Sequence, residues 1–256
     1  MPLGSRAHRV HGVYQLLIAV AAAWGAATGA LLPRAAYRLA VEPEEPWRGD
    51  CPAGHPLTGP LGGWVGRARC ADGTAYGPRT ALVASVTALV CALLAAATGP
   101  RPELGVWLLA APFAVLLALT DYAVHRLPDV LTLPLAAAAA LLLGLAALLP
   151  GSAGSWPTAL LGALVLGGAY FALFLINPAG MGFGDVKLAV GLGAALGWYG
   201  WTVLFTGAFA GLLFGAVYGV ALVALRRAGR KSAIPLGPFM IGGAFVGLLL
   251  GGLAAG

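Results

Sequence analysis

Charged residues are scarce in this sequence of 256 residues: they make up 9% of the chain, whereas 60% of the residues are hydrophobic. Water-soluble domains carry about a quarter charged residues, so this composition excludes an ordinary soluble domain. Cysteine is scarce as well, and three cysteines exclude a disulfide framework. Alternation of polar and apolar residues is lacking, because the apolar runs are continuous, and this argues against a transmembrane β-barrel. The sequence therefore indicates an all-α integral membrane protein.

The few charges are clustered and leave six long uncharged windows. A transmembrane helix needs about 20 apolar residues, so each window provides one crossing and the two longest windows provide two each. The second longest has only 38 residues, so the helix that follows Lys187 should be short. We predict about eight transmembrane helices, with turns at residues 150–157 and 197–200. The uncharged windows are residues 10–33, 80–100, 104–120, 130–184, 188–225 and 232–256.

The charges also predict an orientation in the inner (plasma) membrane. With eight crossings, one face receives residues 34–79, 121–129, 185–187 and 226–231, which carry 12 of the 15 Lys and Arg residues. By the positive-inside rule this face is cytoplasmic.

The same pattern divides the chain into three parts. They are a first span (residues 1–33), a cytoplasmic loop (residues 34–79) and a membrane-embedded domain (residues 80–256). Basic residues before the first apolar run also fit a cleaved secretory signal within residues 1–30, and this alternative stays open beside a retained span.

Three carboxylates, Asp121, Asp129 and Asp185, lie at the boundaries of apolar spans. Carboxylates at the edge of the hydrocarbon are costly and by default mark a functional site. Asp129 and Asp185 also stand where helix caps occur, which is the alternative interpretation for both. Asp185 follows Gly182 and Gly184, and we expect these glycines to give the backbone a geometry that lets a substrate approach closely.

Asp121 and Asp185 are expected on the same side of the membrane, because two crossings separate them. Two close carboxylates do not both ionise easily, so one stays protonated while the other is an anion. Such a pair supplies a base that deprotonates a water and an acid that protonates the scissile carbonyl or the leaving amine. The pattern predicts aspartyl-protease chemistry without a metal or a covalent intermediate.

Three motifs resemble those of a known family. Gly182-Phe-Gly-Asp185 resembles the G-x-G-D motif of intramembrane aspartyl proteases. Residues 121–134 resemble the other catalytic segment of the prepilin peptidases, also called type IV leader peptidases, and residues 234–243 resemble that family's Pro-rich segment before the last span. The resemblance implies an aspartic-type endopeptidase with Asp121 and Asp185 as its catalytic residues. The supporting residues are Asp129, Gly182, Gly184 and Lys187.

The resemblance also implies the partners. A pilin-like precursor of a type IV pilus or a protein secretion system presents a basic leader at the cytoplasmic membrane face, with its hydrophobic stem in the lipid bilayer. Cleavage then occurs where leader and stem meet. No nucleic-acid partner is expected, and proteolysis needs no cofactor.

Residues 34–79 resemble the corresponding region of the longer, bacterial form of the family, with losses. The segments that begin at Cys51 and Cys70 look like its two Cys-x-x-Cys turns, but glycine replaces the second cysteine of each. The usual four-thiolate zinc site therefore cannot form, and the weak metal candidates are Cys51, His55 and Cys70, with Asp72. In the family this region accompanies N-methylation, so S-adenosylmethionine is implied only if that activity is retained.

Two other classes of function are alternatives. A transporter or ion channel can relay protons or cations through intramembrane carboxylates and broken helices, although residues 80–150 and 157–225 show no internal repeat. A membrane transferase can hold a metal between Asp121 and Asp129, although a separation of eight residues is wide for one helix face.

Overall fold

The computed structural model describes residues 3–42, 44–178, 180–225 and 234–256. The predicted orientation charges between Arg226 and Lys231 lie outside the described residues. The described ranges form helices and two isolated β-bridges, with no strand. The helices are α1 (Leu3–Gly29), α2 (Leu32–Leu39), the single turn α3 (Pro60–Gly63), α4 (Thr80–Thr98), α5 (Glu103–Val124), α6 (Asp129–Ala147), α7 (Trp156–Ile176), α8 (Phe183–Gly197), α9 (Trp201–Ala224) and α10 (Gly237–Ala254).

Seven helices in the described part of the chain, α1, α4 to α7, α9 and α10, are long and apolar enough to cross a membrane. Helix α8 has 15 residues, and at 1.5 Å per residue it reaches only about 22 Å of the roughly 30 Å hydrocarbon core. It is the helix that was predicted to be short, and it begins four residues before Lys187. The described residues thus contain seven helices of spanning length, against about eight predicted crossings. The prediction of an all-α, polytopic membrane protein is confirmed.

The most extensive contacts between helices are made through small residues. Helices α7 and α8 approach at Gly162 and Gly193, where a Cβ atom on either residue would overlap the carbonyl oxygen of the other. Helices α9 and α10 also approach closely, because a Cβ atom on Gly243 would overlap the backbone of Gly207 and Gly211. Lipid offers no hydrophobic gain for helix association, so close backbone contact of this kind supplies the attraction.

A buried polar cluster joins helix ends far from Asp121. The fully buried Glu103, at the start of α5, accepts hydrogen bonds from the backbone N–H of Ala153 (3.4 Å) and the hydroxyl of Tyr199 (3.5 Å). Arg101 lies 3.9 Å from the same carboxylate oxygen and donates to the carbonyl of Gly252 (2.6 Å). The cluster therefore ties α5 to the end of α8, the start of α7 and the end of α10.

Residues 34–79 pack on the bundle through α2. Ala36 and Leu39 form a buried cluster with Leu116 of α5, which is one turn before Asp121. A second small cluster contains the side chains of two turn segments. Its buried members are Cys51, Leu57, Ala68, Cys70 and Tyr76.

The contact of α7 with α8 gives a stability prediction. Gly193→Ala should lower the free energy of unfolding by about 1–3 kcal/mol, because the added methyl group has no room against Gly162. Thermal unfolding of the detergent-solubilised protein, followed by circular dichroism, measures the change.

Gly168→Ala is the matched control, because Gly168 lies inside α7 and nothing stands within 4 Å of its Cβ position. It should leave the melting temperature unchanged or raise it slightly, since alanine favours the helix. Equal melting temperatures for the two variants would show that the α7–α8 contact is looser than described.

Candidate active site

Asp121 lies in the last turn of α5, and its side chain is buried, with 4% of the residue exposed. The helix ends after Val124 because His125 adopts a left-handed conformation with φ of 52°. The Asp121 carboxylate accepts a hydrogen bond from the backbone N–H of Gly237 (2.8 Å), which is the first residue of α10. The first N–H groups of a helix have no partner within the helix, and they favour a negative charge. The start of α10 therefore stabilises this acid.

Asp185 is the third residue of α8 and is also buried, with 8% of the residue exposed. Its carboxylate accepts a hydrogen bond from the backbone N–H of Gly182 (3.1 Å), which precedes the helix. The capping interpretation is therefore partly correct, because Asp185 satisfies one N–H at the start of its own helix. Capping alone does not require burial, since exposed carboxylates do the same at many helix starts.

The two acids meet at one end of the bundle. Helices α6 and α10 each pack against both α5 and α8, and so connect the end of α5 to the start of α8. Leu127, in the turn after α5, packs directly beside Gly184, and it belongs to the same buried cluster as Val186. This packing holds the two helix ends together, so two carboxylates separated by 64 positions in the sequence share one buried site.

The glycines before Asp185 do not have the unusual backbone geometry that we expected from the sequence. The backbone at Gly182 has a φ of −74°, which any residue adopts, and neither Gly182 nor Gly184 has a positive φ. The expectation of an unusual backbone geometry at these two residues is wrong. What Gly184 provides is space, because a Cβ atom there would lie 2.9 Å from the Cβ of Leu127. The small residue permits the close approach of the α5–α6 turn to α8.

Asp129 and Lys187 pair with each other. The Lys187 ammonium lies 2.6 Å from a carboxylate oxygen of Asp129, and 60% of the Asp129 side chain is exposed. Asp129 is the first residue of α6, and its side chain makes no capping hydrogen bond there. The capping interpretation of Asp129 is therefore wrong. The pair joins the starts of α6 and α8 at the edge of the site.

An apolar cavity of about 420 Å³ lies between α4, α5, α6, α8 and α10. Ala118 and Tyr122 of α5 line it, together with Leu188 of α8 and Pro238 of α10. These residues stand within four positions of Asp121, Asp185 or Gly237 along their helices. The cavity therefore reaches the helix ends that carry the buried acids.

The metal candidates of residues 34–79 are only partly brought together. The structure places Cys51 and Cys70 together and puts the Nδ1 atom of His55 3.6 Å from the Cys51 sulfur. The Asp72 carboxylate accepts a hydrogen bond from the backbone N–H of Thr74 (2.8 Å) instead. Among the described residues, no group of three or more His, Cys, Asp or Glu side chains could hold a metal ion.

The sequence did not predict two structural features, which are the contact of Gly237 with Asp121 and the burial of Glu103. Gly237 holds the Asp121 carboxylate, and its only signal in the sequence is its place in a Pro-rich segment before the last span. Glu103 is a fully buried carboxylate at the far end of α5. Its signal was its position two residues after Arg101, at the edge of an uncharged window.

Comparison with known proteins agrees with these observations. The model of the type IV leader peptidase family matches residues 108–220. The prepilin leader peptidase/N-methyltransferase of Aeromonas salmonicida is 35% identical over 214 residues, which cover 80% of this chain and 72% of that protein. The protein of the same name from Pseudomonas aeruginosa is 36% identical over 182 residues, or 69% of this chain and 60% of that protein.

A third relative of the same name, from Aeromonas hydrophila, is 36% identical over 216 residues, with 80% of this chain and 72% of that protein covered. No solved structure matches significantly. The matched family segment contains both buried acids, the Gly182-Phe-Gly-Asp185 motif and the Asp129–Lys187 pair. Taken with the fold, these matches show that the chain belongs to the type IV leader peptidase family.

Proposed function

We propose that this chain is an aspartic-type endopeptidase that removes the leader from type IV pilin-like precursors, with Asp121 and Asp185 as its catalytic pair. The observation that carries the proposal is the burial of both carboxylates at one end of the bundle, each held by a backbone N–H at a helix start. Burial of two acids in a membrane bundle is costly, and it is typical of sites that use the acids.

The chemistry follows from the shared site. Two neighbouring carboxylates hold one proton between them, because the second ionisation would place two negative charges in a poorly solvated space. The ionised member takes a proton from a water, which attacks the carbonyl carbon of the scissile peptide bond. The protonated member donates to the carbonyl oxygen and then to the leaving amine. The N–H groups of Gly182 and Gly237 keep the carboxylates oriented.

The apolar cavity supports a substrate that lies partly in the bilayer. Its apolar lining includes Ala118 and Leu188, which lie three residues from Asp121 and Asp185 along α5 and α8. A precursor with a hydrophobic stem would place that stem among such residues and its polar leader outside them. The bond between the two parts would then lie near the acids.

We also propose that the acids face the cytoplasm. Residues 34–79 lie at the same end of the bundle as Asp121 and Asp185. This segment contains six arginines. Excess positive charge marks the cytoplasmic side of multi-pass membrane proteins.

N-methylation is the second activity in the names of the relatives, and it would need S-adenosylmethionine as the methyl donor. In the longer, bacterial form of the family, the region that accompanies methylation has four cysteines, of which this chain keeps Cys51 and Cys70. We therefore limit the proposed activity to cleavage. A mass spectrum of the cleaved product measures both activities, because methylation adds the mass of one methyl group to the new N-terminus.

The alternative functions lack such support. Neither the family match nor the named relatives favour a transporter or channel. A metal held between Asp121 and Asp129 is also disfavoured, because Asp129 pairs with Lys187 and Asp121 bonds to Gly237.

Asp121→Asn and Asp185→Asn should each lower the cleavage rate of a pilin-like precursor by at least about a hundredfold. Asparagine can still accept the N–H hydrogen bond but cannot take up or release the proton. The measurement is mass spectrometry of a precursor incubated with purified protein in detergent, with equal amounts of folded variant.

Asp129→Asn is the matched control, because it removes a carboxylate of the same family segment that is exposed and not buried. Exposed ion pairs contribute about 0–1 kcal/mol, so the cleavage rate should stay within about fivefold of the wild-type rate. Near wild-type cleavage by either buried-site variant would rule out the catalytic pair.

Gly237→Ala should lower kcat by about ten- to a hundredfold while KM changes little. Its Cβ atom would lie 2.8 Å from a carboxylate oxygen of Asp121 and would displace it. Gly242→Ala, one turn along α10, serves as the control, because its Cβ atom would make only ordinary contact with Phe214 (3.7 Å). Unchanged kcat in Gly237→Ala would mean that the Asp121–Gly237 contact does not position the acid.

A further inference from the structure

Two cysteines of residues 34–79 begin turns of the same construction. In one turn, the backbone N–H of Cys51 donates to the carbonyl of His55 (2.9 Å), and Gly54 donates back to Cys51 (2.8 Å). In the other, Cys70 donates to Thr74 (2.8 Å), and Gly73 donates back to Cys70 (3.0 Å). A β-bridge closes each turn. The backbone therefore holds each thiol in a fixed position.

The two thiols occupy one buried place. Cys51 and Cys70 belong to the same small cluster and are almost completely buried. Both are free, buried cysteines. The Nδ1 atom of His55 lies 3.6 Å from the Cys51 sulfur.

This donor set does not fit the four-ligand metal centre that the family resemblance implies. Gly54 and Gly73 stand where the second ligand of each turn would be, and they have no side chain. Structural zinc takes four ligands, whereas the thiols and the imidazole offer three at most, and the described residues contain no group that could hold a metal ion. Two adjacent thiols without a metal have a different chemistry available to them.

We propose that Cys51 and Cys70 form a reversible disulfide, so that a thiol–disulfide pair takes the place of the metal centre in this chain. The oxidant is a small disulfide of the glutathione class. The bond would link the two turns, which lie against α2 through the rings of Tyr37 and Tyr76 (4.7 Å between centroids). Helix α2 in turn packs on α5 near Asp121.

The exchange takes two steps. The Cys51 thiolate attacks one sulfur of the small disulfide, which forms a mixed disulfide and expels the first small thiolate. The Cys70 thiolate then attacks the Cys51 sulfur and expels the second. The two protein thiols lose two electrons, the small disulfide gains them, and the two thiol protons end on the two small thiolates. His55 accepts the proton of Cys51 in the first step.

The position of His55 assigns these roles. Its Nδ1 atom lies 3.6 Å from the Cys51 sulfur, so His55 can accept the proton of Cys51. The thiolate is the attacking species, so Cys51 attacks first and Cys70 resolves the mixed disulfide.

The test uses the full chain in detergent, equilibrated without air in buffers of graded ratios of reduced to oxidised glutathione. After an acid quench, alkylation and digestion, mass spectrometry measures each thiol. We expect a Cys51–Cys70 cross-linked peptide that grows with oxidised glutathione and disappears when reduced glutathione is restored. Cys91, which is fully buried in α4, should remain a free thiol and serves as the internal control.

Variants identify which thiols form the bond and which side chain assists it. Cys51→Ser and Cys70→Ser should each abolish the cross-link, whereas Cys91→Ser should leave it unchanged. His55→Gln should slow formation of the bond several-fold while leaving the equilibrium fraction of disulfide unchanged, which a loss of local structure would not do.

Two results would overturn the proposal. One is that both thiols stay open to alkylation, or carry only glutathione, at the most oxidising ratio. The other is one zinc ion per chain in elemental analysis of protein purified with zinc, lost in Cys51→Ser, because the thiols would then be metal ligands. Neither readout depends on precursor cleavage, so the result is independent of the proposed peptidase activity.

Discussion

Asp121 and Asp185 place two carboxylates inside a bundle whose other buried residues are almost all apolar, and a buried carboxylate needs a hydrogen-bond donor to be tolerated. Both acids obtain it from a backbone N–H at a helix start, Gly237 for α10 and Gly182 for α8. These N–H groups have no partner within their own helices, so each contact satisfies two groups at once. The end of α5 and the starts of α8 and α10 must therefore converge at one point.

The rest of the bundle maintains this convergence. Helix α8 is fixed along its length by backbone contact with α7, which the absence of side chains at Gly162 and Gly193 permits. At its far end, Tyr199 contacts Glu103, the first residue of α5. Glu103 and Asp121 are 18 residues apart, or about 27 Å along one helix. The two helices that carry the acids are thus joined at both ends, which limits sliding of one past the other.

Residues 34–79 also pack against the helix that carries Asp121, although they contain little regular secondary structure. Helix α2 covers α5 near Asp121, and the two cysteine turns lie beyond α2. The two turns are closed by backbone hydrogen bonds, although glycine stands at Gly54 and Gly73. Such a scaffold can keep two thiols adjacent because its hydrogen bonds run through the main chain and do not require the missing side chains.

The sequence alone determined the helical membrane fold, because each membrane helix satisfies its own backbone hydrogen bonds and needs only a long enough apolar run. It also predicted a functional site at Asp121 and Asp185, since carboxylates next to such runs are rare, and the structure buries both side chains. It did not predict that Gly237 would hold Asp121, because the two residues are 116 positions apart and meet only when α5 and α10 pack.

The tertiary structure likewise decided that Lys187 pairs with Asp129 and that Gly184 provides space for Leu127. It also revealed the partners of Glu103, which come from the segment before α7 and the segment after α8. These features depend on which helices are neighbours and on which face each helix presents. Most helix surfaces in this chain are uniformly apolar, so the local sequence carries little information about helix pairing. Helix pairing is decided at the few sites where small residues let backbones touch or where a buried polar group must find a partner.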